Sequence, residues 1–206
     1  MIRLYRAPFS TNVERVALAL AHKGLEVESV WIDDADRSPV QRISGQGLVP
    51  VVEFDDGQVV TDSMQIVRVL EERFPFAPLY PPDAIGRLAA VRVIDWFNDV
   101  WKVAPNAIAD EIAAETPDLA RIDGLAASMS TALDRFEGML DGRDYLFGNA
   151  FSAVDCAAYP FLKYAARRDP EDDELFHRVL HGYQRLGDEH PRLAAWIARV
   201  DERPRV

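Results

Sequence analysis

Apolar and polar positions alternate with a period of two over residues 1–5, MIRLY, which predicts a half-buried strand. From Val13 onward the period changes. Val16, Ala17, Leu20 and Ala21 recur at helical spacing, and KGL halts the helix at Gly24. VESVWI (27–32) predicts a second strand. A strand–helix–strand connection of this length predicts that the two strands run parallel. VPVVEF and QVVT then flank DDG at 55–57, a sequence suited to a tight hairpin. SMQIVRVLEERF (63–74) returns to helical spacing. The order is β-α-β, a short irregular or helical stretch, then β-β-α. PFAPLYPPD (75–83) carries four prolines in nine residues, a density that neither continues a helix nor pairs well in a sheet. A linker is therefore expected at 75–83, with a first domain over 1–78. Beyond it strand patterns vanish, and helical patterns run through 84–114, 118–141, 153–168, 172–187 and 191–203. Residues 84–206 should form an all-helical bundle.

Composition narrows the partners. Among 206 residues, 49% are hydrophobic and 28% charged, ordinary for a globular protein, and the formal net charge is −11. That balance argues against nucleic acid and anionic membranes as partners. Small anionic ligands stay open, because helix ends and single arginines can bind them in an acidic protein. No apolar stretch approaches the length of a membrane span, and the N-terminus lacks a signal-peptide pattern. Cys156 is the only cysteine, so an intrachain disulfide is impossible. A cytoplasmic location is expected.

Several residues carry possible chemistry. Pro50 opens what otherwise looks like a central strand. It could be a trans proline at an edge, or a cis one that leaves the Val49 main chain to pair with a peptide-like ligand. Ser63 starts a helix, where it could be a simple N-cap with Asp62 favouring the helix dipole, or could receive a carboxylate with its hydroxyl and the free N–H groups. Thr11 and Glu14 fit T-x-x-E, so Thr11 is expected to cap the first helix, leaving Ser10 one residue outside. Ser152 and Asp155 in FSAVD form an S-x-x-D capping box, read as structural, with Cys156 a buried hydrophobe. His177 and His181 share a helical face but have no third ligand, so they are expected as exposed helix residues and no metal is expected. Trp96, Phe97 and Trp101 cannot all face one ligand pocket at helical spacing, so core packing is expected of them, and Pro105 should bend the helix.

The serine before the first helix, the VP pair at 49–50, TDS at 61–63 and FSAVD at 151–155, in this order and spacing, resemble the cytosolic glutathione transferase family over essentially the whole chain. The resemblance implies a thioredoxin-like first domain, β-α-β-α-β-β-α, and an all-α second domain. It implies glutathione as co-substrate, a small hydrophobic electrophile and a homodimer. Ser10 matches the catalytic position of serine- and cysteine-type members, where its hydroxyl would stabilise the glutathione thiolate. Asn12 would be a second donor. Asp62 and Ser63 would take the γ-glutamyl end, while Val49, preceding Pro50, would pair with the cysteinyl main chain. Phe9, Trp101 and Pro105 would line the electrophile pocket. Leu48 stands where many members have a basic residue for the glycyl carboxylate. Arg37, Arg42 or Gln46 would have to substitute, Arg42 first. The zeta-type serine-serine-cysteine run is absent, which speaks against maleylacetoacetate isomerisation. A serine at Ser10 speaks against omega-type disulfide chemistry. Two other readings stay open: a non-catalytic docking module of the same fold, and an enzyme for another low-molecular-weight thiol.

Overall fold

The computed structural model describes all 206 residues, which divide into two compact units: Met1–Tyr80 with Arg203–Val206, and Pro81–Glu202. The first unit runs β1 (Ile2–Arg6), α1 (Thr11–His22), β2 (Val27–Trp31), α2 (Ser38–Ser44), β3 (Val51–Glu53), β4 (Val59–Thr61) and α3 (Ser63–Arg73). The short stretch before β3 is thus a helix, preceded by an isolated pairing of Asp33 with Asp36. The sheet order is β2-β1-β3-β4, with β1 and β2 parallel and the other two pairs antiparallel. Leu4 and Val52 are fully buried, and the alternate positions Tyr5 and Val51 pack with Val40 and Ile43 of α2. Helix α1 packs on α3 through their apolar stripes. Gly24 adopts φ +63°, the left-handed turn that ends α1 and that a side chain would strain.

Two features tie this unit together that periodicity does not reveal. Lys23 is buried, paired with Glu71 at 2.7 Å, and donates to the carbonyls of Phe74, Phe76 and Ala77. Glu71 also accepts the Leu79 N–H at 3.0 Å, so the pair is satisfied and fixes the proline-rich segment.

The chain's last four residues join this unit, whereas the sequence pattern assigned them to the helical domain. Arg205 bonds Glu14, Arg6 donates to the main-chain oxygen of Val206, and Arg203 donates to Nδ1 of His22 at 2.8 Å. That last bond needs a neutral imidazole. Burial, with the charges of Arg203 and Lys23, lowers the His22 pKa from its ordinary 6.5. The unfolded chain therefore takes up the proton first, and stability falls as pH drops below about 6.5. Urea titrations at pH 7 and pH 5 should show this loss, and His22→Asn, which keeps an acceptor near Nδ1, should flatten it. An equally steep fall in the variant would place the effect elsewhere.

The second unit contains α4 (Ala84–Trp96), a π-helical turn (Phe97–Trp101), α5 (Val103–Ala113), α6 (Leu119–Met139), α7 (Ala153–Leu162), a 3-10 turn (Lys163–Ala165), α8 (Leu175–Tyr183) and α9 (Pro191–Asp201). The pattern expected as one helix over 84–114 is interrupted at 97–102, upstream of Pro105. Pro105 falls in the first turn of α5, where its missing N–H has no partner to lose. No helix is long and apolar enough to cross a membrane.

Buried Asp155 organises the second core. Its Oδ1 accepts from the Leu146 N–H and the Trp196 Nε1–H, and its Oδ2 from the Ser152 N–H and hydroxyl. The expected capping box is thus formed and also grips a loop and α9. His177 departs from expectation: it is buried, stacked on Tyr164, and bonded through Nδ1 to buried Asp172 at 2.9 Å. The Tyr164 hydroxyl donates to the same carboxylate at 2.6 Å, a pairing that helical spacing could not show.

Candidate thiol-binding site

Strand register assembles the candidate site. Tyr5 pairs with Val51, and Val51 with Thr61. The end of β1, the start of β3 and the end of β4 therefore lie side by side at one end of the sheet. The loop leaving β1 there leads to Ser10, the Val49–Pro50 peptide leads into β3, and Asp62–Ser63 continues from β4. The N-termini of α1 and α3 both begin at this end, so two partially positive helix ends face it.

At the first helix the structure reverses the expected cap. Ser10, not Thr11, is the N-cap, and its Oγ accepts the Val13 N–H at 3.3 Å. Thr11 is the first helical residue and is buried. Glu14, the other half of the expected box, instead binds Arg205 at 3.1 Å. The cap uses an oxygen lone pair, so the Ser10 hydroxyl proton is still available to donate. Asn12, in the same first turn, makes no side-chain hydrogen bond. Phe9, immediately before Ser10, is partly exposed and adopts φ 56°.

The peptide between Val49 and Pro50 is cis, the second of the two readings open from sequence. Neither the N–H nor the C=O of Val49 has a hydrogen-bond partner, while its side chain packs against the Tyr5–Val51 cluster. The Asp62 carboxylate caps α3 through Oδ1 alone, accepting from the Met64 N–H at 3.0 Å and the Gln65 N–H at 2.9 Å. Its Oδ2 is left over. Asp62 has φ 64° and ψ 125°, a conformation that non-glycine residues rarely hold. Phe9 and Asp62 thus carry backbone strain directly before Ser10 and Ser63. Strain of this kind, about 1–3 kcal/mol per residue, tends to collect at functional sites.

Ser63 is buried at the first position of α3, and its hydroxyl accepts a bond from Arg15 at 3.3 Å. Arg15 itself is 2% exposed. Sequence reasoning passed over it, although an arginine within the apolar run VERVALALA is a signal that something must pay for its burial. The candidates for a glycyl carboxylate are less available. Arg42 donates to Ser38 one turn back, Arg37 pairs with Asp34, and Gln46 closes on the main chain of Leu48 with both ends of its amide. Leu48 is 75% exposed.

Trp101 and Pro105 are buried within the second unit. Trp101 stacks on Phe97 with centroids 4.5 Å apart and meets Phe136 and Phe161 edge-on. Its Nε1 is buried without an acceptor. As placed, both residues pack the core of that unit. No group of three or more side chains is arranged to hold a metal ion.

Residues 4–81 match the model of the glutathione S-transferase N-terminal domain, and residues 119–199 match that of the C-terminal domain. The chain belongs to the glutathione S-transferase family. Mouse glutathione S-transferase omega-1 is 23% identical over 98% of this chain and 78% of its own length. A maleylacetoacetate isomerase from Pseudomonas aeruginosa is 34% identical over 42% of this chain and 43% of its own length. A glutathione S-transferase from Methylobacterium radiotolerans, solved with glutathione sulfonate, superposes with a TM-score of 0.72 at 29% identity, covering 98% of this chain and 91% of that one. The family and the fold class that the resemblance implied both hold.

Proposed function

We propose that this glutathione S-transferase family member is a serine-type enzyme that activates the thiol of glutathione for attack on a small hydrophobic electrophile. The strand register that sets Ser10, Val49–Pro50 and Asp62–Ser63 at one end of the sheet carries the reading. Glutathione would lie extended there. Its γ-glutamyl carboxylate would meet the Ser63 hydroxyl and the N-terminus of α3, with Arg15 behind Ser63. Its ammonium would meet Asp62 Oδ2. Its cysteinyl main chain would pair with the unpartnered Val49 groups, as an added strand does. Its sulfur would accept from the Ser10 hydroxyl, and the α1 dipole would favour the thiolate. The attacking sulfur comes from the ligand, so Ser10 acts as a donor and needs no neighbouring base. Ser10 also favours conjugation over chemistry that needs a protein thiol.

Two further elements belong to the same proposal. Ile85 and Leu88 on α4 are 83% and 55% exposed and one turn apart, an apolar surface suited to a homodimer. A cytoplasmic location fits the lone buried cysteine.

One observation favours a second reading. Of the side chains weighed for a glycyl carboxylate, Arg37 pairs with Asp34, Gln46 closes on Leu48 and Arg42 donates to Ser38, so none is dedicated to that group, which suits a different low-molecular-weight thiol. Calorimetric titration with glutathione, alongside an ultraviolet difference spectrum for thiolate at pH 7, separates the two. Saturable binding with thiolate absorbance, weakened about tenfold by Ser63→Ala through loss of a charge-assisted hydrogen bond, is expected. Absence of binding would refute the glutathione assignment. Sedimentation of the same sample should give the mass of two chains, and a single-chain mass at micromolar concentration would refute the dimer.

A further inference from the structure

The second unit holds a concave site that none of the chemistry above uses. The loop joining α6 to α7 and one face of α9 border an open, solvent-facing cavity of about 490 Å³, lined among others by Arg143, Asp144, Asn149, Arg192 and Arg199. The volume falls in the range of small-molecule sites. In a chain of net charge −11, three arginines line this space together with Asp144, and the Glu137 and Asp141 carboxylates reach Arg192 from beside it.

Existing partners leave most of the donors open. Arg192 pairs with Glu137 at 3.4 Å and with Asp141 at 2.9 Å. Arg199 donates to the main-chain oxygen of Asp144 at 2.5 Å, while the Asp144 carboxylate stands 3.9 Å from its other terminal nitrogen. Arg143 has no side-chain hydrogen bond or ion pair. Glu137 is buried and committed to the N–H groups of Arg192 and Leu193 at the start of α9. Asp141 and Asp144 are 75% and 63% exposed, so their pairs are solvated, weak and able to give way to a competing anion. Each guanidinium offers five N–H donors in a rigid fork, against the few acceptors used here. Arg143 thus brings an unpaired guanidinium to the site, and Arg192 and Arg199 keep donors beyond those their partners use.

The loop is also held in place before any ligand arrives. The Asp144 N–H donates to Asn149, Tyr145 and Gly148 exchange main-chain bonds, and the Leu146 N–H reaches buried Asp155. The Asn149 Oδ1 is thereby occupied, which leaves its NH₂ to donate.

We propose that this cavity binds a small oxyanion carrying at least two negative charges, either a phosphate-bearing molecule or a dicarboxylate, held by Arg143, Arg192 and Arg199 with Asn149. The plainer account is an ion network that only staples α9 to the loop, in which Arg143 is idle. Inorganic pyrophosphate and succinate, each titrated calorimetrically into the full chain at low ionic strength with chloride as control, decide between them. One-to-one binding is expected, weakened at least tenfold by Arg143→Ala and by Arg199→Lys, since a lysine cannot offer the fork. Arg143 is exposed and unpaired, so the thermal midpoint of its variant should match the parent. Pyrophosphate alone binding assigns a phosphate ligand, and both binding assigns charge without that preference. Heat from neither at millimolar concentration, or an affinity that Arg143→Ala leaves unchanged, overturns the proposal.

Discussion

Ser10→Ala is expected to lower the rate at pH 7 roughly ten- to a hundred-fold with any electrophile the enzyme accepts. An ordinary thiol, with a pKa of about 8.5, is only a few per cent ionised at neutral pH. A hydrogen bond from a hydroxyl to a charged acceptor contributes about 1.5–3 kcal/mol, which corresponds to that range of rate. The loss should shrink as pH rises toward 9, because the thiol then ionises unaided, so the pH–rate profile should shift to higher pH. Ser10 is also the N-cap of α1, so the same substitution should cost about 1 kcal/mol of stability. Ser10→Asp separates the two roles. Aspartate caps as well as serine does but donates nothing when ionised and repels a thiolate, so stability should persist while activity falls. A Ser10→Ala enzyme with an unchanged profile from pH 6.5 to 9 would remove Ser10 from the chemistry.

The largest stability effect is expected at Asp155. Asp155→Ala strips the acceptors from four buried donors: two main-chain N–H groups, the Ser152 hydroxyl and the Trp196 indole. Each buried donor left without an acceptor costs about 1–3 kcal/mol, so the substitution should cost several kcal/mol in all. That is a large share of a domain's net stability of about 5–15 kcal/mol. Asp155→Asn should cost less, since an amide oxygen keeps two donors satisfied while its NH₂ opposes the Ser152 N–H. Chemical denaturation of the two variants tests this order. An alanine variant within about 1 kcal/mol of the parent would mean that water reaches these donors.

Short-range signals were enough for most elements. Alternation in MIRLY, the apolar spacing from Val13, the turn at DDG and the proline cluster each report a local preference, and each element formed. Errors arose where a local rule met a distant competitor. T-x-x-E pointed to Thr11 as the cap, but Glu14 is held by Arg205, 191 residues away, and Ser10 takes the cap. Helical spacing placed His177 on the surface, whereas Asp172 and Tyr164 bury it. Arg15 was passed over because its reason for burial, Ser63, lies 48 residues on.

By itself the sequence determined the element order, the change from mixed α/β to all-α at the proline-rich linker, the family, and which residue types were available for a thiol site. These arise from backbone preference and from the periods of 2 and 3.6, which neighbouring residues set among themselves. Only the tertiary structure decided that the ends of β1 and β4 lie beside the start of β3, that Arg15 stands behind Ser63, that the last four residues return to the first unit, and that three arginines line one cavity. Each of these depends on residues far apart in the chain, whose contact exists only once the core has fixed the strand register and the helix packing.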